Sequence, residues 1–593
     1  MSLVLLLFVF FCFPLGNNCE GEATPATQVI ISTRYGKLKG LTRQFDKSIG
    51  LGNVSTVNKF LGIPFAAPPI GDLRFRPPQK PKPWKGIYDA TDFKHVCYQD
   101  SSYNRRLWPK RKWPHSDDCL YLNVYAPNTT VRKIRYPVMV YIHGGGYEAG
   151  SPVVSPGDVL PLWDVVLVTI QYRLGPFGFV STGDSEAPGN YGMLDQIEAL
   201  KWIQENIGVF KGDPSRVMIF GESAGGSSVG LLLLSPLSKG LFHSAIALSG
   251  IDFSPFAINA QEEALHLTHQ TANKLSCPTR TSDEIIKCMR RVDASRIFNV
   301  TESDVNRWRP VVDGVFLPDT PLNLRKAMKF HPYPLLVGLT SEEGSYFISK
   351  NYLSISPAPF INTTTKFYEL FFQFGRSKAE FNPPPSLKEA IAFQYTPWPD
   401  NYNEVKRRKR IDLISDYSFT APAHAVLELH TKVAPGYLFV FSHRSKFNPP
   451  SWKGAAHKDD TPYEFGFPLM RLNVLQEYDE HDRNVSEIII TLFTNFARTK
   501  NPTPQPLRDC TLTEFNLTNH AYLNITARPR VEHNFHGNNV AFWNKYYPKL
   551  LKYPHCKSDQ KPQASTSGSM GTITYSPGLV ALLVLNMLSC YCK

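Results

Sequence analysis

Gly221-Glu222-Ser223-Ala224-Gly225 fits the pattern G-x-S-x-G. A serine held between glycines on a sharp strand-to-helix turn presents its hydroxyl for attack on a carbonyl carbon. That hydroxyl is a poor nucleophile until a base takes its proton, and the attacked carbonyl needs donors for the oxyanion it becomes. His143-Gly144-Gly145-Gly146 can supply such donors, because glycines let the backbone come close and aim its N–H groups. Gly145, Gly146 and Ala224 are the expected oxyanion hole, where losing one hydrogen bond costs about 3 kcal/mol of transition-state stabilisation. Thr340-Ser341-Glu342-Glu343-Gly344 offers an acid, and Gly454-Ala455-Ala456-His457-Lys458-Asp459-Asp460 offers a histidine. Each residue alone has an ordinary explanation: a helix-capping serine, a solvated glutamate, a packed histidine. Taken in the chain order serine, acid, histidine, they point to acyl transfer through a serine ester.

Residues so far apart in the chain need a sheet to bring them together. Val138–Ile142, Val165–Tyr172, Val217–Phe220, Ser244–Leu248, Pro334–Leu339 and Tyr437–Ser442 are short apolar runs, as expected of strands covered on both faces. Between them lie helix-length patterns such as Leu194–Ile207, whose Leu194, Ile197, Leu200 and Ile203 fall on one face. Strands alternating with helices predict an α/β fold with a mostly parallel central sheet and helices on both faces. The serine pattern follows one predicted strand and precedes the helix-like Ser227–Leu234, which gives a five-residue match its structural context. The glycine run and the acid also follow predicted strands.

The ends of the chain address it to the secretory route. Leu3–Leu15 is an apolar run of leader length, so residues 1–20 are expected to be a signal peptide. Export agrees with Asn-x-Ser/Thr acceptors at Asn53, Asn128, Asn299, Asn362, Asn484, Asn516 and Asn524. Residues 21–556 then form the folded domain and 557–576 a Ser/Thr/Gly/Pro-rich linker, with a short apolar tail over 577–593. Small residues, a polar spacer and a tail too short to span a bilayer form a GPI-attachment pattern, with Ser567, Gly568 or Ser569 as the attachment point. The net charge of +13 gathers partly in Arg105–Lys112 and Lys406–Arg410, read here as solvated loops. Nucleic acid is an unsuitable partner for an exported chain. The second run also carries the weaker reading of a basic-site processing point. Cys97 with Cys119 and Cys277 with Cys288 can each close a loop worth about 3 kcal/mol, and Cys510 and Cys556 are left as a further pairing. No cysteine cluster has zinc-ligand spacing, so no metal or cofactor is expected.

From about Thr33 to Pro548 the chain resembles the type-B carboxylesterase/cholinesterase family, of α/β-hydrolase fold. The matches include Phe60–Pro69 (FLGIPFAAPP), Ser116–Pro127 (SDDCLYLNVYAP), Gly189–Trp202 (GNYGMLDQIEALKW), Phe210–Gly226 (FKGDPSRVMIFGESAGG) and Phe542–Pro548 (FWNKYYP). The resemblance implies Ser223, Glu343 and His457 as the catalytic triad, taking Glu343 over Glu342 because the family acid directly precedes the glycine. It implies the same oxyanion donors, the disulfides Cys97–Cys119 and Cys277–Cys288, and ion pairs of Arg74 with Asp117 and Arg173 with Asp195. Three positions depart from the pattern. Val540 stands where cholinesterases carry the last cysteine of a third bridge, Asp117 replaces a glutamate, and Lys211 replaces a small residue or arginine.

The ester class is read from the expected substrate pocket, Glu222, Tyr346, Phe256 and Trp108. Tyr346 matches an aromatic choline-site position of cholinesterases, and Trp108 lies near another. Yet the loop around Trp108, NRRLWPKRKWPHSDD, is strongly basic and repels a cation. The expected substrate is therefore a neutral or anionic, fairly apolar small-molecule ester, with a cholinesterase as the alternative. The same family contains adhesion proteins that keep the fold and lose catalytic residues, so a silent or dual-role adhesion protein is a further alternative, and acyl transfer to another acceptor another.

Overall fold

A strand whose residues are all apolar is stable only with both faces covered, and the computed structural model places such runs at the centre of one sheet. It describes residues 27–552 apart from 46–53, 101–112, 132, 303–306, 353–384, 397–402, 448–453 and 471–476. The leader, linker, tail, Cys556, Asn53, Asn362, Trp108 and the Arg105–Lys112 run lie outside the described residues. Through Leu551 the chain forms one unit of contacts. No helix among the described residues is long and apolar enough to cross a membrane.

The strands in chain order are β1 (Thr27–Ser32), β2 (Lys37–Gln44), β3 (Thr56–Pro64), β4 (Ile87–Asp89), β5 (Tyr121–Pro127), β6 (Tyr136–Ile142) and β7 (Val166–Ile170). They continue as β8 (Gly212–Glu222), β9 (Ser244–Leu248), β10 (Leu335–Thr340), β11 (Gly436–Phe441), β12 (Ala521–Ile525) and β13 (Arg530–His533). The spatial order is β1-β2-β3-β5-β7-β6-β8-β9-β10-β11-β12-β13, with β4 beside β2. From β7 to β12 every pairing is parallel, and antiparallel strands flank that block. Alternation within β6 shows why no polar face was visible in the sequence. Val138, Val140 and Ile142 join the core on one side of the sheet, Met139 and Tyr141 the core on the other.

One expectation is corrected. The helix Tyr191–Asn206 carries the expected apolar stripe, with Ile197, Leu200 and Ile203 buried and Leu194 half-buried, and it buries Asp195, Gln196 and Trp202 as well. Most of it lies under other elements, with Lys201 at the surface, and two of its buried polar residues find partners inside the protein. Asp195 takes Arg173 through two hydrogen bonds of 2.7 Å, and Gln196 donates to Ser228. The Lys406–Arg410 run is not a solvated loop but part of the helix Asn403–Ser415, with Arg407–Arg410 half-buried. Its charge is compensated by Arg408 on Glu342 and Lys409 on Asp412, and a helix of half-buried residues opposes the reading as a processing point.

Both disulfides form as expected, Cys97–Cys119 and Cys277–Cys288, and Arg74 pairs with Asp117 at 2.7 Å. Val540, at the place of the missing bridge, is buried. Among the described residues Cys510 has no disulfide partner, and Cys556, the pairing the sequence offers it, lies outside them. A further ion pair was invisible in the sequence: fully buried Arg325 donates to both oxygens of Asp252 at 2.9 and 2.8 Å and touches His430 Nδ1 at 3.1 Å. Arg325→Leu strands a buried carboxylate and is expected to cost about 3–5 kcal/mol, read as a lowered urea midpoint at unchanged slope. A midpoint equal to wild type would show the pair to be dispensable.

Candidate active site

The end of β8 turns into the helix Ala224–Leu234 within a single residue, and Ser223 absorbs the change of direction at φ 59°, ψ −122°. That conformation is strained for any residue with a Cβ. It is held by Ser223 N–H donating to Leu248 O at 2.8 Å and by Ser227 N–H closing the first helical bond onto Ser223 O. Gly225 has no room for a side chain, since a Cβ there would stand 2.0 Å from Ile142 O. The turn thus packs against the end of β6, and Ser223 is 9% exposed.

The acid and the histidine arrive from two further strand ends. Glu343 opens the helix Glu343–Tyr352 after β10, and His457 lies on the connection after β11. His457 Nε2 is 3.0 Å from Ser223 Oγ, and its Nδ1 is 2.7 Å from Glu343 Oε2. The other oxygen of Glu343 accepts from Ser249 Oγ at 2.6 Å and from Thr340 N–H at 2.8 Å. Glu343 is fully buried and His457 nearly so. A carboxylate so held fixes the tautomer with a proton on Nδ1, leaving Nε2 to accept the serine proton.

Glu342, the neighbouring acid, points elsewhere. Its carboxylate accepts from Gly454 N–H at 2.7 Å and pairs with Arg408. Its backbone N–H donates to Ala455 O at 2.9 Å. Glu342 therefore ties the histidine loop to the end of β10, while Glu343 meets the ring.

The glycine run after β6 lies against the serine. A Cβ on Gly144 would stand 2.9 Å from Ser223 Cβ, and Gly145 and Gly146 adopt φ 116° and 67°. Gly145 O accepts from Ala149 N–H at 2.9 Å, closing the turn so tightly that a Cβ on Gly145 would meet Ala149 O at 2.2 Å. His143 braces the run from beneath, stacked on Tyr172 at 4.5 Å and accepting that tyrosine's hydroxyl on its carbonyl. Burial pushes His143 down to about 4, so it stays neutral at physiological pH. Gly145→Ala must open this turn and is expected to lower kcat on an ester about 100- to 1,000-fold with the fold retained. Circular dichroism together with initial rates checks it, and an unchanged kcat would remove the run from the chemistry.

Around the His457 ring stand Phe419, Phe347 and Tyr346, with centroids at 5.0, 5.4 and 5.8 Å. Phe256 reaches this wall through Phe419, at 5.4 Å. Glu222 Oε1 lies 3.1 Å from His457 Nε2, and Lys458 Nζ lies 3.4 Å from Glu222 Oε2. Beneath them, burial followed by the charges of Glu343 and Glu222 pushes Asp460 well above the ordinary carboxylate range. Burial, then Asp460 and Glu222, does the same to Glu464. Of the expected site residues, the structure brings together Ser223, Glu343, His457, Glu222, Tyr346 and the glycine run. Sequence reasoning missed Ser249, Phe347, Phe419 and Lys458. Phe419 sits on the wide turn Asp416–Thr420, which no hydrophobic period marks. Of the glycosylation acceptors, Asn128, Asn299 and Asn516 are exposed, whereas Asn484 is half-buried on a helix. Asn524 is half-buried on β12, its amide donating to Glu532 at 3.0 Å.

A serine elbow after a strand inside a parallel block, with a glycine run, acid and histidine following other strands of that block, defines an α/β-hydrolase. Sites of open α/β sheets form at these carboxyl ends of strands. The chain belongs to the carboxylesterase family, whose sequence model, described as "Carboxylesterase family", matches residues 27–543. It is 35% identical to Neuroligin-2 of Mus musculus over 581 residues, covering 88% of this chain and 68% of that protein. Human Neuroligin-2 is 34% identical over the same shares. Neuroligin-3 of Mus musculus is 32% identical over 591 residues, 89% of this chain and 70% of the relative.

Proposed function

We propose that this chain is a carboxylic ester hydrolase acting on neutral, apolar esters through an acyl-enzyme on Ser223. The observation that carries the reading is the unbroken hydrogen-bond line from Ser223 through His457 to Glu343, closed at its far end by Ser249 and Thr340. As Ser223 Oγ bonds to the ester carbonyl carbon, its proton passes to His457 Nε2, and Glu343 stabilises the imidazolium. The N–H groups of Gly145, Gly146 and Ala224 hold the oxyanion. The tetrahedral intermediate collapses as the alcohol leaves with the proton from His457, and water then cleaves the acyl-serine by the same steps reversed. The test is the kcat/KM of purified protein on a neutral activated acyl ester and on a choline ester, with Ser223→Ala as control. A Ser223-dependent preference for the neutral ester supports the reading; equal inactivity of wild type and variant on both esters overturns it.

We further propose that the chain works outside the cell, tethered through its tail. Phosphatidylinositol-specific phospholipase C is expected to release it from the surface of expressing cells. Retention after treatment would remove the GPI reading.

A second reading is favoured by the relatives. Neuroligins are cell-adhesion proteins of this family, and adhesion to a protein partner, beside or in place of hydrolysis, is that reading. Aggregation of expressing cells that persists in Ser223→Ala would support it, and the absence of aggregation in wild type would count against it.

A further inference from the structure

Lys458 follows the proposed general base directly, and it adopts φ 74°, a left-handed conformation that a residue with a side chain enters only at a cost. Its side chain does not run out to water. It is 15% exposed and places Nζ 3.4 Å from Glu222 Oε2. The other oxygen of Glu222 lies 3.1 Å from His457 Nε2, the nitrogen that also meets Ser223 Oγ at 3.0 Å. One ammonium and one carboxylate thus stand together at the point where an ester would react.

The remaining charges nearby sharpen this pairing. Glu343 is turned away, its oxygens taken up by His457, Ser249 and Thr340. Burial holds Asp460 and Glu464 well above the ordinary carboxylate range, which favours their neutral acids. Glu222 is then the carboxylate that a bound ester would meet beside Ser223. The same His457 that Glu222 approaches is packed by the rings of Tyr346, Phe347 and Phe419. A buried carboxylate beside aromatic faces attracts a cationic group. Lys458 cancels that attraction at its source.

We infer that Lys458 is a specificity-determining residue, whose ammonium neutralises Glu222 beside Ser223 and His457 and so excludes esters carrying a positive charge. The assignment rests on the hydrolase reading of the site. It places the discrimination against cations at the reacting centre, where water screens less than at an exposed loop. A single charge a few ångströms from a bound cation, in a half-buried site, is worth about tenfold in relative kcat/KM.

The experiment compares a choline ester with its uncharged isostere, in which carbon replaces the quaternary nitrogen. Wild type, Lys458→Gln, Lys458→Gly and Lys458→Arg are measured at low and moderate salt. Loss of the charge in Lys458→Gln and Lys458→Gly is expected to raise the cationic-to-neutral ratio of kcat/KM about tenfold. Lys458→Arg is expected to keep the wild-type ratio. In Glu222→Gln/Lys458→Gln the gain is expected to disappear, because the carboxylate that draws the cation is gone. A second arm needs no turnover: calorimetric affinity for tetramethylammonium is expected to rise about tenfold in Lys458→Gln. An unchanged ratio and unchanged affinity in both charge-removing variants would overturn the assignment. Absence of Ser223-dependent turnover on either ester would instead sink the hydrolase reading, and the tetramethylammonium arm would still decide whether Lys458 repels cations.

Discussion

Ser223→Ala is expected to lower kcat on a neutral activated ester by about a millionfold, the scale on which loss of a serine nucleophile removes the whole triad's contribution. The residue sits at φ 59°, ψ −122°, so alanine inherits the same backbone strain and loses only the hydrogen bond to His457. Stability should therefore change by only about 1 kcal/mol. Ser223→Gly separates strain from chemistry. It is equally inactive, yet glycine occupies this conformation without penalty and should gain about 1–3 kcal/mol over Ser223→Ala in urea unfolding. Retained activity in either variant would exclude Ser223 as nucleophile. Equal stability of the two would show that the turn stores no strain.

Exchanging one carboxyl oxygen for an amide at each of two adjacent glutamates is expected to give very different enzymes. Glu343→Gln places an N–H donor in a site built from a ring N–H, a hydroxyl and a backbone N–H. The His457 tautomer is then wrong for accepting the serine proton, and kcat should fall about ten-thousandfold. Glu342→Gln keeps an acceptor for Gly454 N–H and loses only its charge pairing with Arg408, whose side chain is 43% exposed. The pair is partly screened by solvent on the arginine side and stands apart from the His457 ring, so activity should stay within about tenfold of wild type. Rates for the two variants under saturating substrate decide the matter. The reverse ranking would move the acid to Glu342.

Much of the architecture was legible because its causes are local. A strand covered on both faces has to be largely apolar, and β6, β7, β9, β10 and β11 are, with Thr169, Ser244 and Thr340 their hydroxyl-bearing exceptions. The elbow at Ser223 needs small neighbours, and the glycines at 221 and 225 were readable as such. The helix Tyr191–Asn206 shows where local reasoning ends. Its apolar stripe was real, but whether the opposite face meets water or protein depends on what packs over it. The KRRKR run fails for the same reason. Adjacent like charges repel in isolation, and here they form a half-buried helix in which Asp412, one turn on, answers Lys409 and Glu342, from the end of β10, answers Arg408.

The sequence by itself determined the order of the parts: a strand, a serine turn and a helix, a glycine run before them, and an acid and a histidine after. Backbone sterics and hydrophobic period act over a few residues, so each part carries its own signature. The choice of Glu343 over Glu342 came from the family resemblance; tertiary structure alone decided that Ser249 and Thr340 hold that carboxylate, that Phe347 and Phe419 wall the ring, and that Lys458 reaches Glu222. Ser223 and His457 are separated by 234 positions in the chain yet lie 3.0 Å apart in space. Such contacts depend on side-chain direction at strand and helix ends and on the dielectric that burial creates, and both exist only once the sheet has closed.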